Sequence, residues 1–120
     1  MSNILIIDDD EMVRELLAIF INRAGHQSSS ATSAEDAEAI YKHGDFDAVF
    51  CDYKLPECSG LQMYSNLQNS SDKKRLSFAL ITGAVIDQAE HEFMENEGIR
   101  YVIKPFCEQD IQKLLADFSL

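Results

Sequence analysis

The chain has 120 residues, and 10 basic against 21 acidic side chains leave a formal charge of −11. Cores of this size fall at ~100–150 residues, which predicts one domain over 1–120 and leaves no room for separate catalytic and binding domains. A surface this acidic repels phosphate backbones and anionic headgroups, so no direct nucleic-acid or membrane binding is expected.

Ile4–Ile7 is short and rich in β-branched residues, and it predicts a buried strand. Val13, Leu16, Leu17, Phe20, Ile21 and Ala24 then recur at i, i+3, i+4, i+7, i+8 and i+11, the face of one helix. Asp10 is placed to cap that helix, and Gly25 stops it. Residues 27–31 (QSSSA) predict a polar strand suited to a sheet edge. Ser33 with Asp36 resembles a capping box for a helix carrying Ala34, Ala37, Ile40 and Tyr41, broken at Gly44 and Asp45.

Ala48–Cys51 is the next buried run and ends at Asp52. Pro56 and Gly60 mark a loop, and Leu61, Tyr64 and Leu67 form a third helical stripe. Asn69–Lys74 reads as a loop, and Phe78–Ile81 as a strand ending at Thr82-Gly83. Ile86, Ala89 and Phe93 mark a fourth helix stopped by Gly98. Ile99–Ile103 is a strand ending at Lys104-Pro105, and Ile111, Leu114, Leu115 and Phe118 mark the last helix.

None of these runs approaches the ~18 apolar residues of a membrane span, and no secretory signal is visible. Cys51, Cys58 and Cys107 are odd in number and form no CxxC pair. That argues against a disulfide framework or a zinc site and fits a reducing cytoplasm. Five strands alternating with five helices predict an α/β domain with a parallel sheet covered on both faces. The polar second strand belongs at an edge, which fits the doubly wound, flavodoxin-like order 2-1-3-4-5.

In such a sheet, ligands bind beyond the carboxyl ends of the strands, near the switch in strand order. Asp8-Asp9, Asp52, Thr82 and Lys104 lie at the ends of strands 1, 3, 4 and 5. Neighbouring strands run ~4.8 Å apart, so these side chains should share one crevice. Carboxylates ~5 Å apart repel by up to about 3 kcal/mol per pair at an effective dielectric of ~20. Either a pKa rises or a cation binds, and an all-oxygen site favours Mg²⁺. With Lys104 and the Thr82 hydroxyl able to meet phosphoryl oxygens, the set suits phosphoryl transfer to Asp52.

ILIIDDDE, CDYKLPECSG (as D-x-x-L-P-x-x-x-G), LITGA and YVIKPF follow in order at successive strand ends. Together they make the chain similar to the receiver domain of two-component response regulators, over essentially its whole length. The resemblance implies that Asp52 accepts a phosphoryl group from a phosphohistidine. Asp9, Asp52 and the Lys54 carbonyl would ligate Mg²⁺, and Asp8 would hold metal-bound water. Thr82 and Lys104 would sense the phosphate, and Tyr101 would be the switch aromatic. The Lys104-Pro105 bond would be cis, with Pro105 in a structural role. The surface of helix 4, strand 5 and helix 5 would change partner affinity. Lys54 and Ala84 lie where the family tunes phosphate lifetime.

Such a domain is a signalling module that catalyses only its own phosphorylation and dephosphorylation. Its partners would be a sensor histidine kinase or histidine phosphotransfer protein, an unidentified output domain or protein, and a second copy in a phosphorylation-dependent dimer. Three other readings compete. An aspartate-nucleophile phosphohydrolase would use Asp8, but it needs a Gly-Thr or similar step where Glu11-Met12 stands. A flavin carrier would need a Ser/Thr/Gly-rich phosphate loop where this chain has acids. A degenerate receiver would act as a scaffold without phosphorylation.

His26, His43 and His91 read as solvated, and Glu90, Glu92, Glu95 and Glu97 as the solvated face of helix 4. The chain could be a whole single-domain regulator or the receiver of a longer protein.

Overall fold

The first strand, β1 (Asn3–Ile7), carries four consecutive buried apolar residues, as a strand covered on both faces requires. In chain order follow α1 (Glu11–Arg23), β2 (Gln27–Ala31), α2 (Ala34–His43), β3 (Ala48–Asp52) and α3 (Gly60–Ser70). The chain continues through β4 (Phe78–Thr82), α4 (Gln88–Glu97), β5 (Arg100–Ile103) and α5 (Glu108–Asp117). The computed structural model describes residues 2–72 and 75–120.

The strands form one parallel sheet in the order β2-β1-β3-β4-β5. The serine-rich strand lies at one edge and β5 at the other, as expected. Alternation along the strands divides the core in two. Leu5, Ile7, Val49, Cys51, Phe78 and Leu80 face a layer that includes Ala37, Tyr41, Met63, Leu67 and Met94 of α2, α3 and α4. Ile4, Ile6, Phe50, Ala79 and Ile81 face Leu17 and Ile21 of α1 and Ile111, Leu114 and Leu115 of α5.

Local signals set most boundaries. The Asp10 side chain caps α1 by accepting the Met12 N–H at 2.9 Å. Ser33 caps α2 from the Asp36 N–H at 3.1 Å, while Asp36 reaches the Thr32 amide at 3.4 Å instead of the N-cap amide, so the box is half made. Asp87 and Glu90 form a full capping box on α4. That helix ends on Gly98 at φ 73°, a left-handed conformation in which a Cβ is penalised.

Some boundaries differ from expectation. α3 continues to Ser70, because Tyr64 and Leu67 anchor it in the core. The rest of the expected 69–74 loop includes Lys73 and Lys74, which lie outside the described residues. Asp52 and Thr82 are the last ladder residues of their strands, paired with Ile81 and Ile103. Ile99 is buried just before β5.

Two helical stripes also differ. Leu16 is exposed, since α1 turns only Leu17 and Ile21 fully inward. Starting α4 at Gln88 leaves Ile86 buried in the preceding loop. The α4 residue that reaches the core is Met94, and Phe93 is on the exposed side.

Candidate functional site

The strand order reverses between β1 and β3, which adjoin in the sheet although α1, β2 and α2 separate them in sequence. Their register pairs Ile7 with Cys51, so Asp8, the first residue after β1, lies level with Asp52, the last of β3. Carboxylate oxygens of Asp8, Asp9 and Asp52 all lie within 4.8 Å of one another. Asp8 and Asp52 are buried, at 1% and 8% exposure, whereas Asp9 is exposed.

Each acid is held differently. Asp8 Oδ1 accepts the Asp10 N–H at 2.8 Å, and Arg14 Nη1 donates to the Asp8 carbonyl at 2.9 Å. Asp8 Oδ2 is buried with no hydrogen-bond partner. Asp52 Oδ1 accepts from the Lys54 N–H at 3.5 Å and from Lys104 Nζ at 3.4 Å. The same ammonium stands 3.7 Å from Asp8 Oδ2. Burial pushes the Asp8 carboxyl above its usual range, and the charges of Asp52 and Asp9 add to this. The Asp10 N–H and Lys104 work against that rise without cancelling it.

A buried carboxylate oxygen without a donor is costly, so an orphan of this kind needs a partner. A hard divalent cation supplies one, and a set made only of oxygens suits Mg²⁺ better than a softer metal. The site residues therefore fit that ion.

Thr82 is buried at 1% exposure at the end of β4. Its Oγ1 accepts the Ala84 N–H at 3.0 Å and donates to the Ala84 carbonyl at 3.2 Å, so the hydroxyl is turned into its own loop. Its carbonyl accepts the Lys104 N–H at 2.7 Å. The Lys104-Pro105 bond is cis. Tyr101 is 43% exposed, and its ring packs edge-on against His91 at 5.5 Å. A cavity of about 300 Å³ lies among Thr82, Ala84, Ile86, His91, Tyr101 and Ile103.

The sequence reading missed one neighbour of the acid site. Tyr53 follows Asp52 directly and donates its hydroxyl to Glu90, at 2.6 and 2.8 Å to the two carboxylate oxygens. That bond pushes the phenol up to about 12. Tyr64 donates likewise to Glu97 at 3.1 Å. Two of the four acids expected to form a solvated face on α4 are thus tied to phenols, while Glu92 and Glu95 are exposed. The only sequence signal is that Glu90 and Glu97 are seven residues apart on one helical face. Two histidines also have partners: His91 meets Tyr101, and His26 Nδ1 accepts the Ser2 N–H at 3.0 Å.

A parallel five-stranded sheet with acids at its switch point, a lysine at the end of β5 and a threonine at the end of β4 defines a two-component receiver domain. The chain belongs to the response regulator receiver domain family, which matches residues 4–116. The transcriptional regulatory protein SrrA of Staphylococcus aureus is 26% identical over 112 residues, covering 92% of this chain and 45% of SrrA. The chain thus spans less than half the length of the curated relatives it matches.

Among solved structures, a receiver domain from Clostridium thermocellum has a TM-score of 0.88 at 20% identity, covering 98% of this chain and 94% of the other. Vibrio cholerae chemotaxis protein CheY4 gives 0.87 at 20% identity, covering 97% of each chain. The receiver domain of a Pseudomonas aeruginosa sensor histidine kinase, which holds a magnesium ion in its active-site cleft, gives 0.82 at 18% identity over 99% of this chain and 98% of that one. At these identities the likeness establishes the fold. Among the described residues, no helix is long and apolar enough to cross a membrane.

Proposed function

We propose that Asp52 is the phosphoacceptor of a His-Asp phosphorelay and that residues 1–120 act as its receiver domain. The observation that carries this reading is the meeting of Asp8, Asp9 and Asp52, with Lys104 beside Asp8 and Asp52. Asp52 Oδ1 already faces Lys104 and the Lys54 amide, which leaves Oδ2 to attack the phosphorus of a phosphohistidine. The P–N bond breaks, and its electron pair stays on the imidazole. Lys104 is placed to neutralise one phosphoryl oxygen as a point charge, and a turn of the Thr82 hydroxyl out of its loop would offer a donor to another.

Asp9, Asp52 and the Lys54 carbonyl would hold Mg²⁺, with Asp8 acting through a water. When bound, the ion supplies positive charge against the phosphoryl oxygens and relieves the repulsion among the acids. The magnesium site of the Pseudomonas aeruginosa receiver domain supports this assignment.

Thr82 is paired within its loop and Tyr101 stands partly exposed at the rim of the adjacent cavity, an arrangement that suits an unphosphorylated domain. Inward rotation of Tyr101 into the space left by Thr82 would alter the surface of α4, β5 and α5.

A protein donor has an apolar place to dock beside the site. Met12, Val13, Leu16, Ile19, Pro105 and Phe106 line a groove of about 410 Å³ that also reaches Lys104. Met12 and Ile19 are 78% and 50% exposed there, and clustered exposed apolar residues mark interaction surfaces. A sensor histidine kinase or phosphotransfer protein fits this role. The output is a separate domain or partner, or a second copy in a phosphorylation-dependent dimer, and the setting is cytoplasmic.

The test is acetyl phosphate labelling with Mg²⁺ followed by mass spectrometry. Wild type should carry one phosphoryl group on Asp52, and Asp52→Ala should carry none. Equal labelling of Asp52→Ala would place the acceptor elsewhere, and labelling of Asp8 would favour a phosphohydrolase.

A further inference from the structure

Helix α4 has the weakest apolar anchorage of the five, since Met94 is its one buried residue. Polar bonds hold it instead. Tyr53 reaches both carboxylate oxygens of Glu90, and two turns along the same face Tyr64 reaches Glu97. A phenol-to-carboxylate bond of 2.6 Å is charge-assisted and among the stronger hydrogen bonds a protein makes.

The Tyr53 backbone is held on both sides directly after Asp52. Its N–H donates to the Ile81 carbonyl at 2.9 Å, and its own carbonyl accepts the Gly60 N–H at 2.7 Å. Glu90 also reaches the Asp87 amide at 3.5 Å to close the α4 capping box. One carboxylate therefore ties the residue after Asp52 to the first turn of α4, at the far end of the loop that begins after Thr82.

We propose that Tyr53 is a positioning residue whose bond to Glu90 latches α4 in the resting arrangement and so sets how readily the Asp52 site accepts a phosphoryl group. This rests on the reading of Asp52 as phosphoacceptor. A contact made in one of two states favours that state by its own free energy. It weakens a ligand of the other state by the corresponding factor. A helix with so little buried apolar surface lies at the low-stability end of the fold, where one bond is a large share of what fixes it. Release of the latch should therefore favour the phosphorylated arrangement.

The experiment is a titration with beryllofluoride, a non-covalent mimic of the aspartyl phosphate, at saturating Mg²⁺. Wild type, Tyr53→Phe, Glu90→Gln and the double variant are compared by Kd and by hydrogen exchange of α4 amides. Phenylalanine keeps the ring and removes only the hydroxyl. Each single variant should bind beryllofluoride roughly three- to tenfold tighter, with faster exchange in α4. The double variant should bind no tighter than Tyr53→Phe alone, because that change already removes the bond that Glu90→Gln only weakens by taking away the acceptor's charge. Unchanged or weaker binding by Tyr53→Phe would overturn the latch and leave the bond a purely structural one. Failure of wild type to bind beryllofluoride would overturn the phosphoacceptor reading itself, and the latch with it.

Discussion

Lys104 Nζ lies 3.4 Å from Asp52 Oδ1, although 52 residues separate the two in sequence. The ammonium is shared, because Asp8 Oδ2 stands 3.7 Å away on the other side. One cation thus partly offsets two buried acids. Lys104→Met should lower the stability of the metal-free protein by about 1–2 kcal/mol, less than for a fully buried pair because the lysine is partly exposed. It should also slow labelling by acetyl phosphate. Urea denaturation and timed mass spectrometry read the two effects separately.

Asp8 has a buried carboxylate oxygen without a donor. Asp8→Asn removes a charge from the cluster, so the metal-free variant should be more stable than wild type by about 1 kcal/mol, or about 4 °C in Tm for a domain of this size. Mg²⁺ at millimolar concentration should raise the Tm of wild type and do much less for Asp8→Asn or Asp9→Asn. Calorimetric scans with and without the ion test both statements.

Tyr64 gives a pH dependence of known sign. Burial, and then the bond to Glu97, push its phenol from 10.0 up to about 12. A group whose folded pKa is raised contributes its stability in full below the unfolded value and loses it as pH climbs towards the folded value. Stability should therefore fall between about pH 10 and about 12 as this contribution is lost. Tyr64→Phe should flatten that part of the curve in chemical denaturation across alkaline pH.

Gly60 is packed against the acceptor strand. A Cβ there would stand 2.5 Å from Leu80 Cδ2 and 2.7 Å from the Asp52 carbonyl. Gly60→Ala should cost about 1–3 kcal/mol by overpacking, and the backbone shift should reduce phosphorylation of Asp52. Thermal melts and acetyl phosphate labelling check it.

The apolar groove on α1 predicts a split between donors. Ile19→Ser should change stability by less than about 1 kcal/mol, since the side chain is half exposed. Labelling by acetyl phosphate should be unaffected, while transfer from a phosphorylated histidine phosphotransfer protein should slow several-fold. Equal rates from the protein donor would remove the groove from the docking surface.

The sequence by itself determined the alternation of strands and helices, the strand order and the residues of the acid site. Buried runs such as Ile4–Ile7 and Phe78–Ile81 are apolar at every position, as strands covered on both faces must be, and the motif residues stand at strand ends where the parallel sheet gathers them. Tertiary structure alone decided what lies between elements. Glu90 and Glu97 look like solvent-facing charges in sequence, and only packing brings Tyr53 and Tyr64 to them. Leu16 matches the apolar period of α1 yet faces outward, because neighbouring elements cover only part of that stripe. The physical reason is common to these cases: periodicity reports which face a residue occupies along its own helix, while exposure and hydrogen bonding depend on which other elements arrive against that face.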